Sequence, residues 1–169
     1  VGAATAIGGG TTRDLMLGLT PFWMHQPSYL IVTGLALLFV IMFGKQVIRL
    51  NNTFFIFDAI GLGLFTVVGI EKSLLAGFPM WVAIIMGMTH GAVGGVIRDI
   101  FINEVPLIFR KDIYAIACIL GGLIYFACDF FAVGHITTQI ITAGSVILAR
   151  IVAVKYHISL PVLKGNENQ

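Results

Sequence analysis

Residues 8–14 read GGGTTRD, and residues 94–99 read GGVIRD. In each copy a glycine pair is followed, after two residues, by an arginine and an aspartate, and the surrounding sequence is apolar. A charged side chain inside an apolar membrane segment costs about 2.5–3.5 kcal/mol by insertion scales, so such residues are functional candidates. The doubled motif therefore marks two related segments of the chain, and both are candidates for a functional site.

The composition predicts an integral membrane protein. Hydrophobic residues make up 58% of the chain and charged residues 11%, whereas a soluble domain has about 25% charged residues. The mean hydropathy of +0.99 supports the same conclusion. The net charge of +2 is small, so the sequence gives no reason to expect a nucleic-acid partner.

The apolar residues fall into runs that approach the length of about 20 residues needed to cross a bilayer as a helix. Short polar or turn-rich links separate the runs, and none shows the period-two alternation of a strand. The sequence predicts an all-α, polytopic membrane protein. The predicted spans are residues 1–18, 29–48, 53–70, 79–102, 112–130 and 136–154.

Basic residues predict the orientation, because cytoplasmic links carry an excess of Lys and Arg. The links on the side where the first span ends hold one basic residue, Lys72. We therefore expect the opposite side, with the C-terminus, to be cytoplasmic, in an inner (plasma) membrane. That side holds Lys45, Arg49, Arg110, Lys111, Arg150, Lys155 and Lys164.

An internal repeat appears when the sequence is shifted by 85 positions, which places Arg13 on Arg98 and Pro21 on Pro106. The first and fourth spans carry the motif, and three crossings separate them, so they point in opposite directions. Such inverted repeats are common in transporters and other permeation proteins.

The repeat also predicts the domain organisation. Residues 51–131 form a complete three-helix repeat, whereas residues 1–50 hold only the last two helices of the other repeat. We expect that its first helix is absent from this sequence and that the intact protein has seven helices. Residues 132–155 are then the last transmembrane helix, and residues 156–169 are a cytoplasmic tail.

The glycine runs predict kinks, which release backbone groups that membrane helices tolerate only next to protein or a wet cavity. Close helix packing is the alternative, since small residues let backbones approach. The threonine hydroxyls could face a permeant ion or form hydrogen bonds to their own helix. His90 could transfer protons, or it could be a neutral, hydrogen-bonded side chain. The candidate pore-lining or kink residues are Gly8, Gly9, Gly10, Thr11, Thr12, Thr89, His90, Gly94 and Gly95.

The intramembrane charges are candidates for gating, with structural ion pairs as the alternative. Neighbouring residues on a helix do not face each other, so we expect each Arg and Asp of the motif to need a partner elsewhere. Depth in the membrane favours Asp58 for Arg98, and by symmetry an aspartate on the absent helix for Arg13. The candidate gating charges are Arg13, Asp14, Asp58, Arg98 and Asp99.

The paired motifs, together with the run from Asp58 to Gly69, resemble the signatures of the prokaryotic trimeric intracellular cation (TRIC) channel family. The resemblance implies seven helices, a homotrimer and one pore per subunit between the kinked helices 1–18 and 79–102. It also implies permeation of monovalent cations, chiefly potassium. The sequence departs from the family pattern at Val93, which replaces the first glycine of the second triplet.

Two other functions remain open. The same bacterial families are described as glycine transporters, and an inverted repeat suits a secondary transporter of a small amino acid. A scaffold without transport is the other possibility, although charges buried in both repeats argue against it. No nucleophile–base set or metal cluster suggests an enzyme, and we expect no cofactor beyond permeant cations. Membrane lipid is the expected surrounding partner, and bound anionic lipid could contact the basic links.

Overall fold

The computed structural model describes residues 1–47, 51–109, 113–156 and 158, without the side chains of residues 45–47 and 51–54. These described residues contain helices and no strand, which confirms the predicted all-α fold. The elements are α1 (Gly2–Met16), α2 (Phe22–His25), α3 (Ser28–Val47), α4 (Asn51–Leu75), α5 (Met80–Phe101), a 3-10 turn (Leu107–Phe109), α6 (Ala115–Phe130) and α7 (His135–Lys155).

The long helices correspond to the predicted apolar runs. The largest difference is α4, which continues to Leu75 instead of ending near residue 70. The polar side chains of this extra turn have partners, including an ion pair between Lys72 and Asp14. By length and composition α5 and α7 are apolar and long enough to cross a bilayer, while Ser28–Gly44 and Ala115–Phe130 are shorter apolar helices.

Close backbone contact holds α4 against α5. A Cβ atom added at Gly69 would lie 2.7 Å from Gly87 Cα, and one added at Gly87 would lie 2.8 Å from the carbonyl oxygen of Thr66. These distances are shorter than side-chain packing allows, so the two glycines let the helix backbones touch. Gly61 differs, because a Cβ there would meet only Phe65, at 3.8 Å.

The helices α1 and α5 cross at the two copies of the motif. A Cβ at Gly9 would overlap the carbonyl oxygen of His90, and a Cβ at Gly94 would lie 3.1 Å from the carbonyl oxygen of Thr5. The 85-residue shift carries Gly9 onto Gly94 and Thr5 onto His90. The two contacts are therefore the same contact made twice, and an approximate twofold axis passes between the helices.

Both motif helices end in the same way. Gly18 and Asn103, which the repeat equates, have positive φ angles of 69° and 58°. Just beyond each of them, an amide donates back to the carbonyl of the motif aspartate, Asp14 or Asp99, at 2.8 Å. This left-handed residue after the last turn is a common helix stop, and the paired stops extend the repeat to backbone conformation.

Charged and apolar side chains are placed in the opposite way to those of a water-soluble protein. Charged groups lie inside, where Arg13 is 2% exposed and Asp14 is 0% exposed. Apolar side chains lie outside, as on α3, where Ile41 is 70% exposed and Met42 is 74% exposed. A helix that is apolar on all its exposed faces is stable in lipid but not in water.

Several basic residues used to predict the orientation lie outside the described part of the chain. They are Arg49, Arg110, Lys111 and Lys164, and the side chain of Lys45 is likewise outside it. Most of the predicted tail, residues 156–169, also lies outside the described residues. The domain boundaries and the orientation therefore stay predictions.

The contact between α4 and α5 leads to a prediction for Gly69→Ala. The added methyl group meets backbone atoms that cannot move aside, so we expect a loss of about 1–3 kcal/mol of stability, as for other overpacked sites. Thermal unfolding of the detergent-solubilised protein measures the change.

Gly34→Ala is the matched control, because nothing lies within 4 Å of a Cβ at Gly34. Alanine is a better helix former than glycine by about 1 kcal/mol, so this variant should unfold at the same or a higher temperature. Equal destabilisation by both substitutions would contradict the backbone contact.

Candidate functional site between α1, α4 and α5

A cavity of about 240 Å³ lies between α1, α4 and α5. Glycines form much of its wall, and without side chains they leave the space open. Asp58 and Arg98 line the cavity toward one end of the helices, together with the Tyr114 ring. Of the predicted pore residues, the cavity is lined by Gly9, Gly10, His90, Gly94 and Gly95.

The other predicted pore residues do not line this cavity. Gly8 faces the side chain of Ile97. The Thr11, Thr12 and Thr89 hydroxyls each donate to the carbonyl four residues earlier, at 2.7, 3.0 and 2.8 Å. Their place in a permeation path stays a prediction.

The glycine runs lie inside continuous helices, since residues 2–16 and 80–101 are each one α-helix. At Gly9 and Gly94 the backbones of α1 and α5 meet, which is the close packing given above as the alternative to kinks. The kinks and the backbone groups that they would release stay a prediction.

The side chain of Arg13 is paired with the next residue in the sequence, Asp14. Its Nε and Nη2 atoms donate to Asp14 Oδ1 at 2.9 and 2.7 Å. Its Nη1 atom lies 3.0 Å from Nδ1 of His90. Lys72 Nζ also lies 3.0 Å from Asp14 Oδ1, so two cations share one carboxylate at this end.

Arg98 repeats that arrangement at the other end. Its Nε atom donates to Asp99 Oδ1 at 2.8 Å, and its Nη1 atom donates to Asp58 Oδ1 at 3.1 Å. The pairing of Arg98 with Asp58 is therefore present as predicted. Tyr114 adds a hydroxyl that donates to the same Asp58 oxygen at 3.4 Å.

The expectation that adjacent Arg and Asp residues cannot pair is wrong in both repeats. Each pair lies in the last turn of its helix, and the long guanidinium stem bends back over the neighbouring carboxylate. The second oxygen of each aspartate accepts a backbone N–H from the link that follows, from Phe22 at 2.8 Å and from Leu107 at 3.0 Å. The aspartate thus neutralises its arginine and fixes the chain leaving the helix.

A second cavity, of about 550 Å³, lies beyond Arg98. Asp58 and Arg98 are the two residues that line both this cavity and the first one. Both cavities therefore reach this ion pair, which we call the partition.

Sequence reasoning missed Arg150, which is 1% exposed on α7. Its Nη2 atom lies 3.9 Å from Asp58 Oδ2, and its guanidinium stacks on the Tyr114 ring at 4.6 Å. The orientation rule uses Arg150 only as a basic residue on the cytoplasmic side. The available signal was its position inside an apolar span, the same criterion that singled out Arg13 and Arg98.

Comparison with known proteins identifies the family. A family model described as glycine transporter matches residues 1–45 and 55–129. A UPF0126 membrane protein of Vibrio cholerae is 39% identical over 94% of this chain and 67% of its own length. The UPF0126 inner membrane protein YadS of Escherichia coli is 35% identical over 99% of this chain and 83% of its own length.

Solved structures with the same fold are cation channels. A structure from work on conductance through TRIC cation channels matches with a TM-score of 0.88 and 31% identity, over 98% of this chain and 82% of that one. The trimeric intracellular cation channel orthologue from Rhodobacter sphaeroides matches with a TM-score of 0.86 and 33% identity, over 92% and 80%.

The site predicts a large effect of Asp14→Asn. The asparagine oxygen can still accept a hydrogen bond from the N–H of Phe22. The substitution therefore removes the charge but keeps this contact with the link after α1. It leaves Arg13 buried without its counter-charge, and we expect a loss of about 3–5 kcal/mol. A lower unfolding temperature in detergent measures this effect.

Asp129→Asn removes an exposed carboxylate on α6 and is the control. Exposed charges contribute about 0–1 kcal/mol, so its unfolding temperature should match that of the unmodified protein. An Asp14→Asn variant as stable as this control would show that the buried pair is dispensable.

Proposed function

This chain belongs to the membrane-protein family that the glycine-transporter model describes, and it has the fold of the TRIC cation channels. We propose that it is a cation channel. The path runs through the glycine-lined cavity between α1 and α5, and the permeant ions are monovalent cations, chiefly potassium. The observation that carries the proposal is the ion pair of Arg98 and Asp58, because these two residues line both cavities.

In this proposal the ion pair of Arg98 and Asp58 closes the path, because the two side chains meet where both cavities are lined by them. Arg98 is also paired with Asp99, so neither carboxylate is free to bind a cation while these contacts hold. Separation of Arg98 from Asp58 opens the space that the two side chains occupy together.

The motif at Arg13 forms a second charged group, in which Arg13 and Lys72 contact the carboxylate of Asp14, much as Arg98 contacts Asp99 and Asp58 in the other copy. We propose that both charged groups rearrange for conduction.

We further propose that the protein is a homotrimer with a separate pore in each subunit, in the inner membrane and with a cytoplasmic C-terminus. The R. sphaeroides neighbour is described as trimeric, and the E. coli relative as an inner membrane protein. Lipid and neighbouring subunits would cover apolar surfaces such as the exposed face of α3. Cross-linking of the purified protein in lipid tests the trimer.

A transporter for a small amino acid is the second candidate. The cavity presents a guanidinium group on Arg98 and a carboxylate on Asp58, which suit the carboxylate and the ammonium group of glycine. The family model is itself described as glycine transporter. A transporter would bind glycine between these groups and open one end at a time.

Recording the purified protein in a planar bilayer with potassium salts separates the two candidates. A channel gives unitary currents without any amino acid present, and replacement of potassium by a large organic cation abolishes them. Saturable glycine counterflow in liposomes, without unitary currents, would instead establish the transporter and reject the channel.

Asp58→Asn tests the partition. Without the carboxylate, the asparagine side chain holds Arg98 only weakly, so we expect the open probability to rise several-fold. The Asp129→Asn variant should keep the open probability of the unmodified protein. A well-folded Asp58→Asn variant, judged by its elution as a single species, with unchanged gating would remove the partition from the mechanism.

Gly61→Ala tests the path itself. Gly61 lines the cavity, and the added methyl group points into space where only Phe65 lies within 4 Å. The protein should therefore fold normally, with a unitary conductance reduced by roughly half because the path is narrower. Gly34→Ala, on α3, should leave the conductance unchanged, and equal currents from both variants would place the path elsewhere.

A further inference from the structure

We propose that Arg150 of α7 is a positioning residue for the partition: it is the second partner of Asp58 and takes over the carboxylate when Arg98 moves away. This inference rests on the proposed function, since it assigns a regulating residue to the same gate. It also gives α7, which lies outside both repeats, a direct role in opening.

The surroundings of Arg150 leave its charge poorly compensated. The side chain is almost fully buried, and its Nη1 atom donates one long hydrogen bond, of 3.4 Å, to the carbonyl of Ile113. Its buried Nε atom has no hydrogen-bond partner among the described residues. The rings of Tyr114 and Phe55 lie at 4.6 and 5.6 Å from its guanidinium carbon. A buried guanidinium in such a place is stable only with a carboxylate close by.

Asp58 supplies that carboxylate but is not yet fully engaged. Its Oδ1 atom accepts from Arg98 and Tyr114, at 3.1 and 3.4 Å. Its buried Oδ2 atom has no hydrogen-bond partner in the described part of the chain and lies 3.9 Å from Arg150 Nη2. A charge-assisted hydrogen bond has a length of about 2.7–2.9 Å. A movement of roughly 1 Å would therefore complete the pair.

The transfer leaves no arginine without a partner. Arg98 keeps its bond to Asp99 Oδ1 at 2.8 Å when Asp58 departs. Arg150 gains the bond that it lacks in the closed arrangement. Asp58 remains paired throughout, first with α5 and then with α7. Such an exchange between two arrangements of similar energy is what a two-state gate requires.

The direction of the effect follows from this competition. Arg150 draws Asp58 toward α7 and so weakens the closed pair on α5. Without Arg150, the carboxylate interacts with Arg98 alone, and the closed arrangement is favoured. We therefore expect Arg150→Gln to lower the open probability roughly tenfold, which is within the range of coupling between residues of one network. Arg150 lines the second cavity together with Asp58 and Arg98, so the open probability, and not the unitary conductance, is the readout for this proposal.

Three further variants make the experiment specific. Arg150→Lys keeps the charge, so its open probability should lie between those of Arg150→Gln and the unmodified protein. Lys155→Gln removes an exposed charge from the same helix and should change nothing. Arg150→Gln combined with Asp58→Asn should gate like Asp58→Asn alone, because the acceptor for Arg150 is gone.

Each possible outcome either supports or overturns the proposal. A lower open probability that disappears in the Asp58→Asn background supports the proposal. An unchanged or higher open probability, or an equal decrease in both backgrounds, overturns it. A variant that only unfolds at a lower temperature, with normal gating, also overturns it, since Arg150 would then be a purely structural residue.

A second measurement does not depend on ionic current. A cysteine placed at Gly61 lines the first cavity, and a small polar thiol reagent reports how often that cavity opens to water; the chain without this substitution gives the background. We expect Arg150→Gln to slow the reaction roughly tenfold. If the protein carries no current in any ion, the cation channel proposal fails, but slower labelling of the Arg150→Gln variant still supports the proposed role of Arg150. Equal labelling rates with and without Arg150→Gln reject that role even in a working channel.

Discussion

Arg13 and Arg98, the arginines of the two motif copies, each depend on the aspartate that follows them. An apolar surrounding offers no solvent to a charge, so every guanidinium group must be satisfied within the protein. The motif meets this requirement with one carboxylate that does two things: one oxygen binds the arginine, and the other binds the amide of the following link. The ends of α1 and α5 and the course of the links beyond them follow from this pair.

The sequence predicted those features that depend on pattern alone. Apolar runs located the long helices, the 85-residue shift identified the repeat, and depth in the membrane paired Arg98 with Asp58. The contact between Arg13 and Asp14 was not predictable from the rule for helix faces, because that rule describes the middle of a helix and the pair lies at the end of one. The roles of Gly9 and Gly94 require knowledge of the opposing backbone, which composition does not contain. The buried position of Arg150 did not follow from its place near the end of a span, because a basic residue there also fits the orientation rule.

The two copies of the motif are alike in geometry and differ in the side chains that contact them. The repeat supplies the arginine, the aspartate and the helix stop in both copies. Lys72 contacts the first copy through Asp14, and Asp58 contacts the second copy through Arg98. Both of these residues belong to α4, so one helix contacts both copies of the motif, and Asp58 also lies near Arg150 of α7.

The contact between neighbouring Arg and Asp has a consequence for biogenesis. When α1 leaves the ribosome, neither His90 nor Lys72 has been synthesised, and an isolated arginine would oppose entry into the bilayer by about 2.5–3.5 kcal/mol. Asp14, the next residue to be added, neutralises Arg13 within the same helical turn. We therefore expect the nascent segment to enter the translocon as a charge-balanced pair and not as an isolated arginine. The same order of synthesis protects Arg98, whose neighbour Asp99 follows at once, so each repeat carries its own means of insertion.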